Sequence, residues 1–517
     1  MAEKRILIIG AGIAGLAAGC YARMNGYDVQ ILEQHTLPGG LCMSWKRKDY
    51  IFDGCIHYLF GTAPGNSFYR MWEELGAIQG RTMISHTEYQ HITDGQRTLI
   101  VYADPDQLEA HMLELSPQDA GPIKALCRGI RHFQTFDLGV LYDRPRNLMT
   151  GNEWRRFGMK MMPFLPAMLR WGISAKQFAQ RFRDPFLRRA VPQMFSWEDA
   201  PVMMGMMLLA YQHTGNAAYP QGGSLEFAQA IEKRFLALGG RVEYNAQVER
   251  ILTRDGRAAG VRLYDDREIE ADYVISAADG RRTIFHLLDG EYADAKVRRM
   301  YDGHLPMHTQ VQVSLGVKRD MREHPHWTTY LLDKPMTLIG DPRSEIGVKH
   351  YSFDPTLAPE GKSVVQVMMR SDYHYWDNIH GRRLYDTEQR QVTDLLLARI
   401  EAWHPGITAD VEFKDEATPL TYERFTGNWQ GATCGWLLTP ETMRMLIFGV
   451  KRTLPGLKNF WMAGQWVEPG GSVPMAAASG RTAIQLICAQ EGKPFTATVP
   501  SGTPPVYAPA DTEAVHA

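Results

Sequence analysis

A short apolar run that breaks into three spaced glycines constrains this chain more than any other feature. Residues 6–9 have the composition of a buried parallel strand, and Gly10, Gly12 and Gly15 follow at the Gly-x-Gly-x-x-Gly spacing of a dinucleotide-binding turn. Gly10 allows the tight turn, Gly12 lets the backbone approach a pyrophosphate, and Gly15 lets the next helix pack closely on the strand. That helix is predicted over residues 14–24, and its first N–H groups would face the phosphates.

An acidic residue follows the second predicted strand, where a dinucleotide-binding domain places its ribose contact. The strand covers residues 28–32, and Glu33 comes 18 residues after Gly15, so its carboxylate would accept hydrogen bonds from ribose hydroxyls. The order of strand, turn, helix, strand and acid predicts a bound adenine dinucleotide. A carboxylate at Glu33 would repel the 2′-phosphate of NADP, which leaves FAD and NAD as candidates.

The segment after Glu33 separates FAD from NAD. Gly39 and Gly40 let the backbone lie against a flat or phosphorylated group, which a simple NAD domain does not require. The stretches EQHTLPGG at residues 33–40 and FDGCIHYLFG at residues 52–61 resemble the FAD-dependent family of phytoene desaturases, carotenoid isomerases and retinol saturases. The resemblance extends over nearly the whole chain, and it implies FAD as the cofactor.

A second motif lies near the end of the chain, at residues 460–487. Its sequence predicts a short strand, a Gly-Gly loop and a helix rich in small residues. In the resembling family this helix begins under the isoalloxazine ring, where its N–H groups face the carbonyl at which reduced flavin gathers negative charge. The two motifs and the resemblance together assign cofactor contacts to Gly10, Gly12, Ala14, Gly15, Glu33, Gln34, Gly39, Gly40, Leu41, His57, Val248, Ala277, Gly464, Gly471, Val473, Pro474 and Met475.

The length of 517 residues predicts at least two domains. The expected fold is α/β, a Rossmann-type FAD-binding domain with an inserted α+β substrate domain like those of phytoene desaturases and amine oxidases. The FAD-binding domain is predicted from residues 1–85, 222–288 and 450–493, and the substrate domain from residues 86–221 and 289–449. The tail at residues 494–517 is rich in Pro, Thr and Ala and is predicted to be disordered.

Composition argues against several classes of protein. The net charge of −2 and the absence of a basic reader motif give no reason to expect nucleic acid. No apolar run reaches the roughly 18 residues of a spanning helix. The six cysteines lack metal-ligand or redox spacing, so no metal site is predicted and a reducing cytoplasm is expected.

Residues 152–183 mix aromatic residues and methionines with arginines. An amphipathic segment of this kind can contact a membrane surface, and we expect Phe164 and Trp171 to contribute to that contact. The alternative is a core helix whose arginines reach out to solvent. Pro163 and Pro166 exclude one long helix.

Two further segments each allow two interpretations of their role. Residues 201–211 hold four methionines around Gly205, which suits either a tunnel for a long, bent hydrocarbon or simple core filling. Residues 419–436 are dense in aromatics and glycines, and such a loop can wrap a ligand or cap a sheet.

The resemblance implies an FAD-dependent oxidoreductase that acts on C–C or C=C bonds of an apolar unsaturated substrate, an isoprenoid or carotenoid. Desaturation, saturation or isomerisation would involve hydride transfer between a substrate C–H and flavin N5. The direction of the reaction, the electron acceptor and the oligomeric state stay open. His57 also suits a purely structural role. The polar and aromatic candidates for catalysis are Asp53, His57, Tyr58, Arg424 and Trp429.

Two alternative functions share this fold. A flavin amine oxidase would need an aromatic cage for a neutral amine, to which Trp466 and Trp436 could contribute. A prenyl-binding or lipid-binding escort could dispense with the cofactor motifs, whereas both motifs are present here.

Overall fold

The computed structural model describes residues 3–195 and 197–510. The helices are α1 Ile13–Met24, α2 Ser67–Glu74, α3 Pro105–Leu115, α4 Ala120–Phe133, α5 Gly151–Met161, α6 Leu165–Arg170, α7 Ala175–Ala179, α8 Pro185–Ala190, α9 Val202–His213, α10 Gly223–Ala237, α11 Gly280–Arg282, α12 Ala295–Met300, α13 Tyr373–Gly381, α14 Tyr385–Trp403, α15 Ile407–Asp410, α16 Pro419–Thr426, α17 Met443–Phe448 and α18 Val473–Gln490. The strands are β1 Arg5–Ile9, β2 Asp28–Leu32, β3 Ser44–Arg47, β4 Tyr50–Asp53, β5 Thr82–Ser85, β6 Glu88–Thr93, β7 Thr98–Tyr102, β8 Tyr219–Pro220, β9 Arg241–Glu243, β10 Val248–Arg254, β11 Arg257–Leu263, β12 Glu268–Glu270, β13 Tyr273–Ser276, β14 Met307–His308, β15 Gln310–Val317, β16 Trp327–Leu338, β17 Asp341–His350, β18 Ser363–Arg370, β19 Val411–Ala417, β20 Cys434–Trp436, β21 Phe460–Met462 and β22 Val506–Pro509.

A five-stranded parallel sheet forms the centre of one domain, in the order β21-β13-β1-β2-β9. Ile6, Leu7 and Ile8 of β1 have no solvent exposure, as expected of a strand covered on both faces. Helices α1 and α18 lie beside this sheet and contact each other closely at Gly480. A Cβ atom there would lie 2.3 Å from the carbonyl oxygen of Ala14, so only glycine allows this approach. The predicted α/β fold with a Rossmann-type domain is confirmed.

A seven-stranded mixed sheet forms the second domain, in the order β19-β15-β18-β17-β16-β6-β7. Its strands come from residues 88–102 and 310–417, whereas those of the parallel sheet come from residues 5–32, 241–276 and 460–462. The chain therefore leaves the parallel-sheet domain and returns to it twice. Side chains of α14 cover one face of the mixed sheet and form an apolar core with it.

The segment at residues 152–183 folds into three short helices rather than one. None of the side chains of α5 or α6 is buried. Phe164 and Trp171 lie at the ends of α6 and are buried, 7% and 5% exposed, so the expectation that they contact a membrane is wrong. Phe164 packs on Phe136 with ring centroids 4.8 Å apart. Within the part of the chain that the structure describes, no helix is long and apolar enough to cross a bilayer.

The chain after residue 493 is ordered as far as residue 510. Strand β22 pairs in parallel with β5, and the ring of Phe495 lies 5.6 Å from that of Tyr21. The prediction of disorder is wrong for these residues, because β5 offers an open sheet edge that composition cannot reveal. Residues 511–517 lie outside the described part of the chain.

Ending the chain at residue 503 would remove β22 and leave the edge of β5 unpaired. We expect the free energy of unfolding to fall by about 1–3 kcal/mol, since several ladder hydrogen bonds are lost and each is worth about 1 kcal/mol. Urea unfolding followed by tryptophan fluorescence measures this change. Val506→Ser is the control, because it retains the backbone bonds of an exposed residue. Equal stability of the shortened and full-length chains would contradict the structural role of β22.

Candidate active site

A groove runs along the carboxyl ends of β1 and β2, past the first turn of α1, to the first turn of α18. We call it the cofactor groove. Among the residues that line it are Gly10, Gly12, Ala14, Glu33, Gln34, Gly39, Gly40, Leu41, Val248, Ala277, Gly464, Gly471 and Val473. Thirteen of the predicted cofactor contacts thus come together in one continuous surface.

The glycine turn has the geometry that close packing of the helix requires. Gly10 has a φ of +98°, which favours glycine, and a Cβ at Gly15 would lie 2.0 Å from the carbonyl oxygen of Gly10. Gly15 therefore lies behind the turn rather than on the groove. No side chain caps the start of α1 at Gly12, so the first N–H groups of α1 are available to an anion.

Glu33 is buried on the wall of the groove, with 7% exposure. One carboxylate oxygen accepts the backbone N–H of Ala11 at 2.6 Å, and the other accepts that of His35 at 2.8 Å. These bonds fix the carboxylate and still leave acceptor sites free, since an ionised carboxylate has about four. Glu33 is therefore prepared to bind ribose hydroxyls.

The opposite end of the groove has the polar groups that a flavin ring needs. Ser472 precedes α18, and its hydroxyl is buried without a hydrogen-bond partner. The N-terminus of α18 carries the partial positive charge of the helix dipole and points into the groove at Val473. The unpaired hydroxyl of Ser472 and the N-terminus of α18 suit a flavin ring, and the glycine turn at the other end suits the phosphates. The groove therefore fits FAD.

A large cavity between the two domains adjoins the flavin end of the groove. We call it the apolar cavity; its volume is about 1980 Å³. Met203, Met204 and Met207 of α9 line it, and Trp154 and Leu169 line it beside α5 and α6. The cavity and the cofactor groove share Leu41, Cys55, Thr433, Gly471, Ser472 and Val473. We call this shared boundary the junction, and a flavin ring there would face the apolar cavity.

His57 and Tyr58 line the apolar cavity. Nδ1 of His57 lies 3.2 Å from the hydroxyl of Tyr351, and burial holds the pKa of His57 well below the ordinary histidine value. His57 is therefore neutral at physiological pH. It does not line the groove, and neither do Pro474 and Met475, which line the cavity instead.

Asp53 has a structural role. Its carboxylate is completely buried and accepts hydrogen bonds from the backbone N–H groups of Cys55 and Ser224 and from the hydroxyls of Ser44 and Ser224. Burial raises its pKa, and these donors oppose that rise. Asp53 lines neither cavity nor groove, and its carboxylate is occupied by these donors, so the structure gives its predicted catalytic role no support.

Arg424 and Trp429 also lie away from the junction. Arg424 is exposed on α16, and the backbone N–H of Trp429 donates to the carboxylate of Asp279 at 2.9 Å. The ring of Trp429 packs against Tyr301 and Trp466 at centroid distances of 6.1 and 6.2 Å. Neither side chain borders the apolar cavity, so the structure gives their predicted catalytic roles no support.

The segment at residues 419–436 is half helix and half loop. Helix α16 occupies its first part, and Phe425, Gly427 and Asn428 line the cofactor groove. Thr433 lies at the junction and Cys434 lines the cavity. The segment therefore both covers the groove and contributes to the cavity wall.

Several residues of the site were not predicted from the sequence. The position of Ser472 directly before a helix of small residues could have identified it as an N-cap. Lys349, which lines the cavity, belongs to no motif, and Thr433 lies in the segment at residues 419–436 but was not predicted there as a site residue. Their place in the site follows only from the way the two domains meet.

A family model for flavin-containing amine oxidoreductases matches residues 13–488. The chain belongs to this family. The predictions of FAD as cofactor and of oxidoreductase activity are confirmed, as is the resemblance to carotenoid desaturases and isomerases.

Individual relatives match almost the whole chain. Chloroplastic prolycopene isomerase 2 of an Oncidium hybrid cultivar is 24% identical over 513 residues, covering 95% of this chain and 84% of that protein. A neurosporene-forming phytoene desaturase of Rhodobacter capsulatus is 24% identical over 509 residues, covering 93% and 94%. The crystal structure of an oxidoreductase from Methanosarcina mazei has the same fold, with a TM-score of 0.60, 17% identity and coverage of 93% and 100%.

Replacing Glu33 with Ala should weaken FAD binding by about 10- to 100-fold, because charge-assisted hydrogen bonds to ribose are worth roughly 1.5–3 kcal/mol each. Fluorescence titration of the apoprotein with FAD measures the affinity. Glu270→Ala is the matched control, since Glu270 is an exposed acid on a strand. Unchanged FAD affinity in the Glu33 variant would show that this carboxylate only orders the backbone around it.

Proposed function

We propose that this FAD-dependent oxidoreductase acts on C–C or C=C bonds of a long apolar unsaturated substrate, an isoprenoid or carotenoid, by desaturation, saturation or isomerisation. The observation that carries the proposal is the apolar cavity, which opens onto the flavin end of the cofactor groove. The relatives named as a prolycopene isomerase and a phytoene desaturase also support it.

The size and lining of the cavity support a long substrate. Pockets for drug-sized ligands enclose about 300–1,000 Å³, whereas this cavity encloses about 1980 Å³. Three flexible methionines on α9 line it, and thioether side chains conform to irregular apolar shapes. A small polar substrate would leave most of this volume unfilled.

Two titratable side chains of the cavity wall, Cys434 and His57, carry no charge. Burial raises the pKa of Cys434 to about 12 and holds that of His57 far below its ordinary value, so both side chains are neutral. FAD supplies two-electron redox chemistry when bound, and the surrounding side chains align the substrate and exclude water. Neutral side chains at these two positions suit a hydrocarbon.

An amine substrate has less support. Trp436 lines neither the groove nor the cavity, and Trp466 lines only the groove. The two rings pack against Tyr301 at centroid distances of 5.1 and 6.0 Å, as part of an apolar core. These tryptophans therefore do not form the predicted amine cage.

The surface around α5 and α6 supports substrate entry from a membrane. Met159 is 59% exposed, Met162 70% and Leu169 78%, and the nearby Arg155 and Arg156 are also exposed. Apolar side chains edged by arginines can enter the headgroup layer without crossing the bilayer. A long polyene could then pass from lipid into the cavity beside these helices.

A panel of polyenes, fatty acyl compounds and amines, mixed with the enzyme without oxygen, tests the substrate class. We expect a polyene to bleach the flavin absorbance in desaturation or to restore it after reduction in saturation. Isomerisation is redox-neutral, so it would instead be detected as a changed polyene isomer with the flavin unchanged. We expect amines to have no effect. Bleaching by an amine, with no response to any polyene, would instead identify an amine oxidase.

Liposome flotation tests the membrane contact. Binding should rise with the content of anionic lipid and fall with salt, because local arginines supply the attraction. The double variant Met159→Glu and Met162→Glu should lose most of this binding, since neither residue lines the cavity or is buried. Leu395→Glu, at an exposed position of α14, is the control. If the parent, the double variant and the Leu395 variant float equally, the membrane contact does not involve Met159 and Met162.

A further inference from the structure

We propose that Lys349 binds the terminal carboxylate of an otherwise apolar substrate at the inner end of the apolar cavity. The inference rests on the proposed function, because it specifies the class of substrate that the cavity takes. It assigns one end of the substrate to a fixed position.

Lys349 lies at the inner end of strand β17. The strand begins with two exposed residues, Asp341 and Pro342, and ends at His350, which is buried; Lys349 itself is partly exposed. Arg343, Glu345 and Lys349 all line the cavity on the same face of the strand. Arg343 pairs with Asp341 and with the carbonyl of Arg370 near the outer end, whereas Lys349 lies beyond them, towards the interior.

Among the residues that the structure describes, none forms an ion pair with the ammonium group of Lys349. Its neighbours across the sheet are Trp327 and Gln366, both uncharged, and Nζ lies 3.8 Å from the ring centroid of Trp327. Burial alone lowers the pKa of Lys349 to about 7. A carboxylate beside it would offset the cost of burying the charged form.

A second buried polar group at the same end of the cavity lacks a partner. Gln90 is 1% exposed and lines the cavity; its Nε2 donates to the hydroxyl of Thr329 at 2.8 Å, and its Oε1 has no partner. Rotating the amide by half a turn lets Oε1 accept from the Thr329 hydroxyl and turns the NH₂ group towards the cavity. Gln90 and Lys349 can then both donate to one ligand carboxylate.

The other titratable side chains near Lys349 do not compete for this anion. Burial holds the pKa values of His57 and His326 well below the ordinary histidine value, and the positive charge of Lys349 lowers both pKa values further. They are neutral at physiological pH. Lys349 therefore supplies the positive charge at this end of the cavity, and an acid is the ligand end that complements it.

Binding of cis-parinaric acid tests the inference. This polyene fatty acid fluoresces in apolar surroundings, and its methyl ester is the uncharged comparison. The FAD-loaded enzyme should bind the acid more tightly than the ester. Lys349→Met should lower the affinity for the acid by about 10- to 100-fold and leave that for the ester within about threefold. Lys349→Arg should retain the preference for the acid.

Lys334→Met, on an exposed part of β16, is the matched control and should bind both probes like the parent. Retained FAD and ester binding show that the Met variant is folded; if it loses FAD, Lys349→Gln takes its place. Equal binding of acid and ester by the parent, or a preference that survives loss of the lysine, overturns the inference. Turnover of a hydrocarbon polyene in the flavin assay would leave the proposed function standing in either case.

Discussion

The two domains meet at Asp53, a buried residue whose carboxylate and backbone carbonyl bind partners in different domains. Its oxygens accept hydrogen bonds from Ser224 at the start of α10 and from Ser44 on β3, and its backbone carbonyl accepts from Gln312 and Gln366 of the mixed sheet. Burying a carboxylate is costly unless its oxygens are satisfied, and here several donors satisfy them. Movement of the mixed sheet away from α10 would break the bonds from Gln312 and Gln366 to the carbonyl of Asp53. The position of the substrate domain over the cofactor groove therefore depends on Asp53.

That fixed position explains why the apolar cavity meets the groove where it does. Cys55 lies at the junction, two residues after Asp53, and its N–H bond to the Asp53 carboxylate sets the path of the chain. Gly471 and Ser472 approach the same point from the other end of the chain. The shared boundary is built from segments far apart in sequence, and the buried network holds them together. Alignment of substrate and flavin is thus a property of the domain interface.

The cofactor half of the site could be predicted from sequence, because its requirements are local. A strand, a glycine turn and an acid such as Glu33 carry their own spacing. Catalytic candidates could not be predicted in the same way: Asp53 stands close to His57 in sequence, but its main partner, Ser224, is 171 residues away. Phe164 was predicted to lie at the surface because arginines surround it in the sequence. In the structure its ring packs against His132, Phe133 and Phe136, at and just after the end of α4. Each error concerns a partner that no local pattern reveals.

An anchored end changes what the enzyme can select. In a uniformly apolar cavity a hydrocarbon can slide, because dispersion contacts have no direction, and bonds at several positions could reach the junction. A carboxylate held by Lys349 would fix the number of carbons between that end and the flavin. The position of the reacting bond would then be counted from the acid, whereas the methionines of α9 would accommodate differences in the rest of the chain. Regiospecificity would follow from one ion pair at the inner end, and tolerance of chain shape from the flexible wall.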